Sequence, residues 1–566
     1  MAKAGSVYPQ VDPGAAGLMD RAALTGSPGI RVRHALDALE RASATVMVLG
    51  RGAAVRRDDL RRAVEWGFGT MPAGDLAWVG LPCVPPSASE VSVRRCLMHG
   101  APMVIVAGGG LLGLVDGTAL LPMAPALSVL PRLERLGHRN AEARLWLLRV
   151  AGKVGEVLGM PTFAVGGFVR DLLLERDPLD VDLVVEGDGI TFGRRLAEEV
   201  RGHVVMHSGF GTAAIEGAVT GDGVPLARID IATARQERYG TPGALPAVRA
   251  ASLALDLRRR DLSVNAMAIS LSPSEFGQLV DPVGGQQDLR ARRLRPLHPL
   301  SFVEDPTRIF RAARYGARLG LRLERQGVQA LRLALRVGRY PLLSGQRLRA
   351  ELALIAAEPD GWTALQELLG WGAFTLWDPG YRASPATRAR LARGRGLARR
   401  FQVMGVALDP QELALVALLL DQPAAVAGRC LDRLAITGAP RVRLEASAAV
   451  ALAGRLESPG RRRPSATAAA LRPAAPAVLI GAWLLGGRRT RRAIEWFLRQ
   501  GHAVRPLLSG GELVKLGVPR GPQVARCLGR LRDRRLDGAV STRAGERALV
   551  ERWVRRARTH EKGEPR

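Results

Sequence analysis

The stretch from Pro161 to Glu186, PTFAVGGFVRDLLLERDPLDVDLVVE, constrains the fold of this chain more than any other. Phe163, Ala164 and Val165 form a short apolar run that Gly166-Gly167 cuts off, as expected for a strand entering a tight turn. Phe168 to Leu174 has helical spacing, and Asp177-Pro178 ends it, because the residue before a proline is pushed out of the helical region. Val181, Leu183, Val184 and Val185 then build a second strand. Strand side chains alternate between faces, so Asp180 and Asp182 point to one side. The expected unit is strand, turn, helix, strand, with two carboxylates side by side.

Such a pair repels itself unless a cation lies between. Hard divalent cations such as Mg2+ take oxygen ligands and keep substrate phosphates in their shell. Paired ions about 3.5–4 Å apart clamp the attacking and leaving oxygens of an in-line displacement. Asp180 and Asp182 are therefore candidate Mg2+ ligands, with Gly166 and Gly167 offering backbone donors and Arg170 a cation for phosphates. The competing reading is a solvated pair at a strand end, and the glycine turn with Arg170 beside it weighs against that. GxGxxG and GxxxxGKS patterns are absent at this turn, which disfavours a Rossmann or P-loop site.

Length and charge frame the rest. At 566 residues the chain has room for three or four domains, and its hydrophobic fraction of 47% excludes disorder throughout. A net charge of +29 points to a polyanionic partner. Almost all of the basic residues are arginine, a bias that genome base composition alone can produce. The cysteines (Cys83, Cys96, Cys430 and Cys527) form no CxxC and suit a reducing compartment. The longest apolar run, Ala474 to Leu485, is short and contains Pro476, so no membrane span and a cytoplasmic location are expected.

Further carboxylates and arginines follow the first unit. LARIDI (226–231) reads as a strand with Asp230 near its end, placed to bind a metal or take a proton. A strand-end ion pair is the alternative. His203 and His207 bracket an apolar run without partners at zinc spacing and read as structural. Gln236 to Ala250, with Gly240, Pro242, Gly243 and Pro246, reads as a mobile loop. In DLRRRDLSVNAMAI (256–269), three successive arginines cannot share a face, and Asn265 is suited to brace the turn. In SFVEDPTRIFRAARYGARLG, Pro306 fits a first helical position with Asp305 as cap. Arg308, Arg311, Arg314 and Arg318 recur every three or four residues and form one basic stripe, which repels itself unless an anion lies along it.

GGFVRDLLL with DVDLVV, the RRDLSVNA segment and EDPTR resemble the motifs of class II nucleotidyltransferases, the bacterial tRNA CCA-adding enzymes and their poly(A) polymerase relatives. The resemblance is strongest from Gly159 to Leu323. It implies an α+β architecture, a polymerase-β-like head followed by an all-helical neck, body and tail. It also implies attack by a tRNA 3′-hydroxyl on the α-phosphate of CTP or ATP, with Asp180, Asp182 and Asp230 catalytic. Gly166, Gly167, Arg170, Arg260, Asp261 and Asn265 would bind the nucleotide. Asp305 and Arg308 would read the base in place of a template, and Arg311 and Arg314 would hold phosphates. The loop at 236–250 matches the segment that helps such enzymes switch from C to A addition.

Residues 29–130 resemble an α/β CBS-like module, in which Asp58, Asp59 or Thr118 would be the candidates to touch an adenosine nucleotide, though a packing module that binds nothing is the alternative. Its first unit reads as cut short. The expected divisions are a loose tail (1–28), this module (29–130), a linker helix (131–158), the head (159–297), neck (298–360), body (361–460), tRNA-binding tail (461–557) and a disordered end (558–566). The basic stretch Arg388 to Arg400, loosened by Gly394 and Gly396, is a candidate RNA contact. Ser509 is placed to cap a tail helix. Two other functions stay open: poly(A) polymerase or a partial CC- or A-adding enzyme, and an adenylate-sensing CBS protein with a non-catalytic head.

Overall fold

The computed structural model describes residues 14–561 except 21, 51, 99–100, 109, 117–126, 130–131, 133–140, 177–179, 208–210, 407–408, 439–445 and 459–461. Thr118, Asp177, Pro178 and Gly460 thus lie outside the described residues. The chain forms two compact units, Met1–Arg347 and Leu348–Arg566.

The first unit opens with a strand–helix–strand–strand arrangement that occurs twice. In the first copy β1 (Ala23–Thr25) runs parallel to β2 (Val46–Val48) across the helix Val32–Arg41, and β2 pairs antiparallel with β3 (Ala53–Arg56). The helix buries Val32, Ala35, Leu36 and Leu39, the spacing of one amphipathic face. The helix Arg57–Glu65 and β4 (Trp78–Val79) complete it. In the second copy β5 (Cys83–Val84), the helix Glu90–Met98, β6 (Met103–Ala107) and β7 (Leu111–Asp116) repeat the pattern. Val46, Val48 and Trp78 of one copy pack with Met103, Ile105 and Leu114 of the other in a single buried cluster. Two expectations need correction. The first copy is not cut short, because residues 53–65 supply its third strand and second helix. Nor are residues 1–28 a loose tail throughout: β1 is a paired strand, and Gly14–Leu18 is helical.

The head follows the helix Ala141–Leu158. Its strands are β8 (Leu127–Ser128), β9 (Thr162–Val165), β10 (Val181–Val185), β11 (His203–His207), β12 (Thr212–Glu216), β13 (Ile229–Thr233), β16 (Ala268–Ser270) and β17 (Gln278–Val280). They form one sheet in the order β11-β12-β13-β10-β9-β16-β17-β8. β10 lies at its centre, antiparallel to β9 and parallel to β13. Between β13 and β16 in the chain, β14 (Arg235–Arg238) and β15 (Ala247–Ala250) pair as a separate hairpin. The segment expected as a mobile loop is thus a built hairpin. Its tip is tied down where Gly243 N donates to Glu304 O at 2.9 Å and Arg347 donates to Gly243 O at 2.9 Å.

The neck comprises Ser301–Glu304, Thr307–Leu319 and Arg325–Val337. The second unit is helical: Gly361–Trp371, Pro385–Ala392, Gly394–Val403, Pro410–Leu419, Ala424–Arg433 and Ala446–Glu457 precede the tail helices. Ser509 caps Gly510–Lys515 in a reciprocal capping box with Glu512. The last helix, Arg543–Glu561, covers the start of the segment expected to be disordered, and residues 562–566 lie outside the described ones. Among the described residues no single helix is long and apolar enough to cross a membrane.

Candidate nucleotidyltransfer site

The strand–turn–helix–strand unit forms as its residues dictate. β9 ends at Gly166, whose φ of +66° belongs to the left-handed region that glycine enters without strain. A side chain there would also be tight: a Cβ on Gly166 would sit 3.0 Å from Arg260 Nη1 and 3.5 Å from Asp182 Oδ2. The glycine lets the turn approach a carboxylate and a guanidinium together. The helix Gly167–Leu173 then buries Phe168, Val169 and Leu172.

Asp182 is the centre of charge. β10 and β13 place it in register with Asp230, and Asp180 lies just before β10. Burial pushes the Asp182 carboxyl above the ordinary carboxylate range; Arg260 opposes the shift, and Asp230 and Asp180 add to it. A cavity of about 340 Å3 opens here, with Asp182, Asp230, Arg228, Arg259 and Arg260 on its wall. Asp230 is already paired with Arg228 at 3.0 Å. Among the described residues no three His, Cys, Asp or Glu side chains converge as a closed metal cage. An oxygen-donor pair open on one side suits a hard divalent cation that completes its shell with water and phosphate oxygens.

The arginines of the RRRD segment are organised by a residue the sequence reading passed over, Asp256. Fully buried within the helix Leu253–Arg258, it accepts from Arg259 Nη2 at 2.6 Å and Arg260 Nη2 at 3.0 Å. The signal was present as spacings of three and four along a helix. Asp261 is also buried, accepting from Arg311 Nε at 2.7 Å and Asn265 Nδ2 at 3.0 Å. Burial alone would raise its pKa, but Arg311 and Asn265 outweigh that and hold it down at about 2.

Asn265 braces the turn as its side-chain chemistry suggests, and Arg170 is part of the same network. Arg170 is 3% exposed and bonds Asp171 through Nε and Nη2, both at 2.9 Å, while its Nη1 donates to Asn265 Oδ1 at 2.7 Å. Asn265 in turn donates to Asp261. Arg170 and Asn265 therefore tie the glycine-turn helix to the RRRD segment.

The arginine stripe is held apart in pieces. Arg311 reaches Asp261, Arg318 reaches Asp171 at 3.5 Å, and Arg170, Arg311 and Arg314 lie 5.0, 5.6 and 4.8 Å from the Tyr315 ring centroid. The ring is a shared cation–π platform that spacing did not disclose. Arg308 is 5% exposed; it donates to Ser301 Oγ at 2.8 Å, Arg259 O at 3.1 Å and Tyr239 Oη at 3.3 Å. Asp305 Oδ1 accepts from Thr307 N at 3.0 Å, and Oδ2 pairs with Arg347 at 2.8 Å. Its cap role holds, although Pro306 occupies the formal N-cap position. Arg308 thus meets the residue adjacent to Arg260, which faces Asp182. His203 stands on edge strand β11, away from the cavity wall. In the N-terminal module Asp59 accepts from Trp78 Nε1 at 3.2 Å and Asp58 pairs with Arg61, so both are engaged within the module.

A central sheet with a glycine turn, paired aspartates and a basic helix beside it defines a nucleotidyltransferase head, and residues 162–295 match the Poly A polymerase head domain. The A-adding tRNA nucleotidyltransferase of Geobacter sulfurreducens is 35% identical over 72% of this chain and 46% of that protein, so the chain spans about half of that relative's length. The CC-adding tRNA nucleotidyltransferase of Deinococcus radiodurans is 33% identical over 73% of this chain and 94% of that protein. The Thermotoga maritima CCA-adding enzyme solved with tRNA superposes with a TM-score of 0.61 at 27% identity, covering 76% of this chain and 99% of the other. The chain belongs to the tRNA nucleotidyltransferase family.

Proposed function

We propose that this chain adds CMP, AMP or both, from CTP and ATP, to the 3′ acceptor end of tRNA in the cytoplasm, without a template. The observation that carries the reading is the juxtaposition of Asp182, Asp230 and Arg260 at one cavity behind a glycine turn. Asp180 and Asp182 would hold Mg2+, which when bound neutralises phosphate charge at the reacting centre. The tRNA 3′-hydroxyl attacks the α-phosphorus, forming one P–O bond as the bond to pyrophosphate breaks. Asp230, beside Asp182, is the group placed to take the hydroxyl proton. Arg260 faces the phosphates, and the Gly166-Gly167 backbone lets them approach. Asp305 and Arg308 present an acceptor and donors to the base edge. A carboxylate has about four acceptor positions, so capping Thr307 leaves Asp305 able to accept from a base.

The names of the relatives favour a second reading within the same chemistry, an enzyme that adds only CC or only the terminal A. Three tRNA transcripts ending before C74, C75 and A76, each incubated with CTP or ATP alone, separate these. Addition to all three supports full CCA addition; addition to the first two with CTP only supports a CC-adding enzyme, and addition to the third with ATP only supports an A-adding one. Unlimited AMP addition would identify a poly(A) polymerase. Asp182→Ala should lower incorporation by more than about 100-fold while leaving tRNA binding intact. No incorporation by the wild-type chain with any transcript would leave the non-catalytic, adenylate-sensing reading in its place.

A further inference from the structure

The N-terminal module does not hang free of the head. The Gly74–Val79 segment lies on the neck helix Arg325–Val337: Val79 N donates to Gln326 Oε1 at 2.9 Å and Gln329 Nε2 to Gly74 O at 2.8 Å. Gln326 is 2% exposed, and Asp75 pairs with Arg336 on the same helix. Along this contact one module side chain enters the head's own polar cluster. Arg62, on the helix Arg57–Glu65, donates from Nη1 to Glu304 Oε1. Glu304 is 5% exposed, and its other oxygen receives His298 Nε2 at 3.0 Å and faces Arg308 Nη1 at 3.6 Å.

The chemistry of that cluster is unbalanced without the module. A buried carboxylate needs a donor for each oxygen, and one left short pulls its remaining partners toward it. Among the described residues, Arg62 is the donor to Glu304 Oε1. Arg308 divides its donors between Ser301, Arg259 O, Tyr239 and Glu304. If Arg62 is withdrawn, Glu304 competes more strongly for Arg308 and shifts the guanidinium relative to Asp305 one residue away. We propose that Arg62 is a positioning residue of the nucleotide-selecting site: the N-terminal module supplies a cation that satisfies Glu304 and so fixes Arg308 for base recognition. This rests on the reading of Asp305 and Arg308 as the base-selecting pair.

The test is steady-state incorporation into a 3′-truncated tRNA by full-length wild type, Arg62→Met, Arg62→Lys and Asp75→Ala, with ATP and CTP measured separately. Arg62→Met should raise nucleotide KM about fivefold or more with a smaller change in kcat, and should narrow the ratio of kcat/KM between correct and incorrect nucleotide. Arg62→Lys should restore part of both, since it returns the charge without the planar fork. Asp75→Ala loosens the same module contact at its exposed edge and should leave the selectivity ratio unchanged. Active wild type together with an Arg62→Met variant of unchanged KM and selectivity would overturn the positioning role. Equal loss of selectivity in Asp75→Ala would overturn it too, by showing that docking as a whole, and not this cation, is what matters. Wild type inert toward every nucleotide would instead overturn the functional reading beneath it.

Discussion

At the scale of single residues, the head spends its buried charge on carboxylates with opposite fates. Asp182, half-buried, is driven toward neutrality by burial and by its acidic neighbours, whereas Asp261, more deeply buried, is held ionised by Arg311 and Asn265. The difference lies in the partner's reach: Arg311 Nε touches Asp261 at 2.7 Å, while Arg260 is anchored to Asp256 and acts on Asp182 through space. Asp261 therefore makes a pH-dependent contribution to stability. Its folded pKa of about 2 lies below the unfolded value near 4, so the contribution is full above about pH 4 and is lost as pH falls through about 2. The shift corresponds to roughly 2 kcal/mol. Urea unfolding of wild type and Asp261→Asn should show wild type more stable by about that amount at pH 7, with the gap closing between pH 4 and the lowest pH at which the fold survives. A gap that stayed constant with pH would show that the ion pair with Arg311 is not its source.

Among elements, the lesson lies in what glycine is for. Gly394 reads in the sequence as a loosening point within a basic stretch, yet it opens the helix Gly394–Val403, and a Cβ on it would lie 1.9 Å from the Trp362 ring. Close packing against a half-buried aromatic, and not flexibility, requires glycine there. Gly394→Ala should cost about 1–3 kcal/mol, read as a lowered denaturation midpoint, whereas Gly396→Ala, where a Cβ meets nothing within 4 Å, should be neutral or slightly stabilising. The contrast explains which parts of the fold were legible. The β9-to-β10 segment follows local periodicity, and its strands and helix form within a residue or two of where spacing puts them. Tyr239 and Tyr315 act through a partner 69 residues away and through a ring face, which periodicity does not encode. The hairpin at 235–250 looked like a loop because its glycines and prolines mark the tip, while its short polar strands carry no alternating apolar signal.

For the whole molecule, net charge is the property that no single site accounts for. The head's arginines are largely consumed internally: Arg170 by Asp171, Arg259 and Arg260 by Asp256, Arg311 by Asp261 and Arg318 by Asp171. The surplus of +29 must therefore be carried elsewhere, and the tail helices Arg488–Trp496 and Pro522–Leu536 are dense in arginine with few acidic residues between. A polyanion bound there is held through phosphate neutralisation, and each contact released by salt lowers log K by about 0.7–0.9 per tenfold rise in salt. If tRNA engages about five phosphates, its affinity should fall by roughly two orders of magnitude between 0.05 and 0.2 M salt. Replacing Arg488, Arg489, Arg491 and Arg492 with glutamine should flatten that slope by several units. The selectivity ratio between ATP and CTP should not move if Asp305 and Arg308 read the base, because neither lies in these tail helices. Fluorescence titration of a labelled tRNA across the salt range checks the first expectation, and incorporation assays at saturating tRNA check the second. A slope unaffected by the four substitutions would shift the RNA-binding surface away from these helices, leaving the basic stretch around Arg388 to Arg400 as the next place to probe.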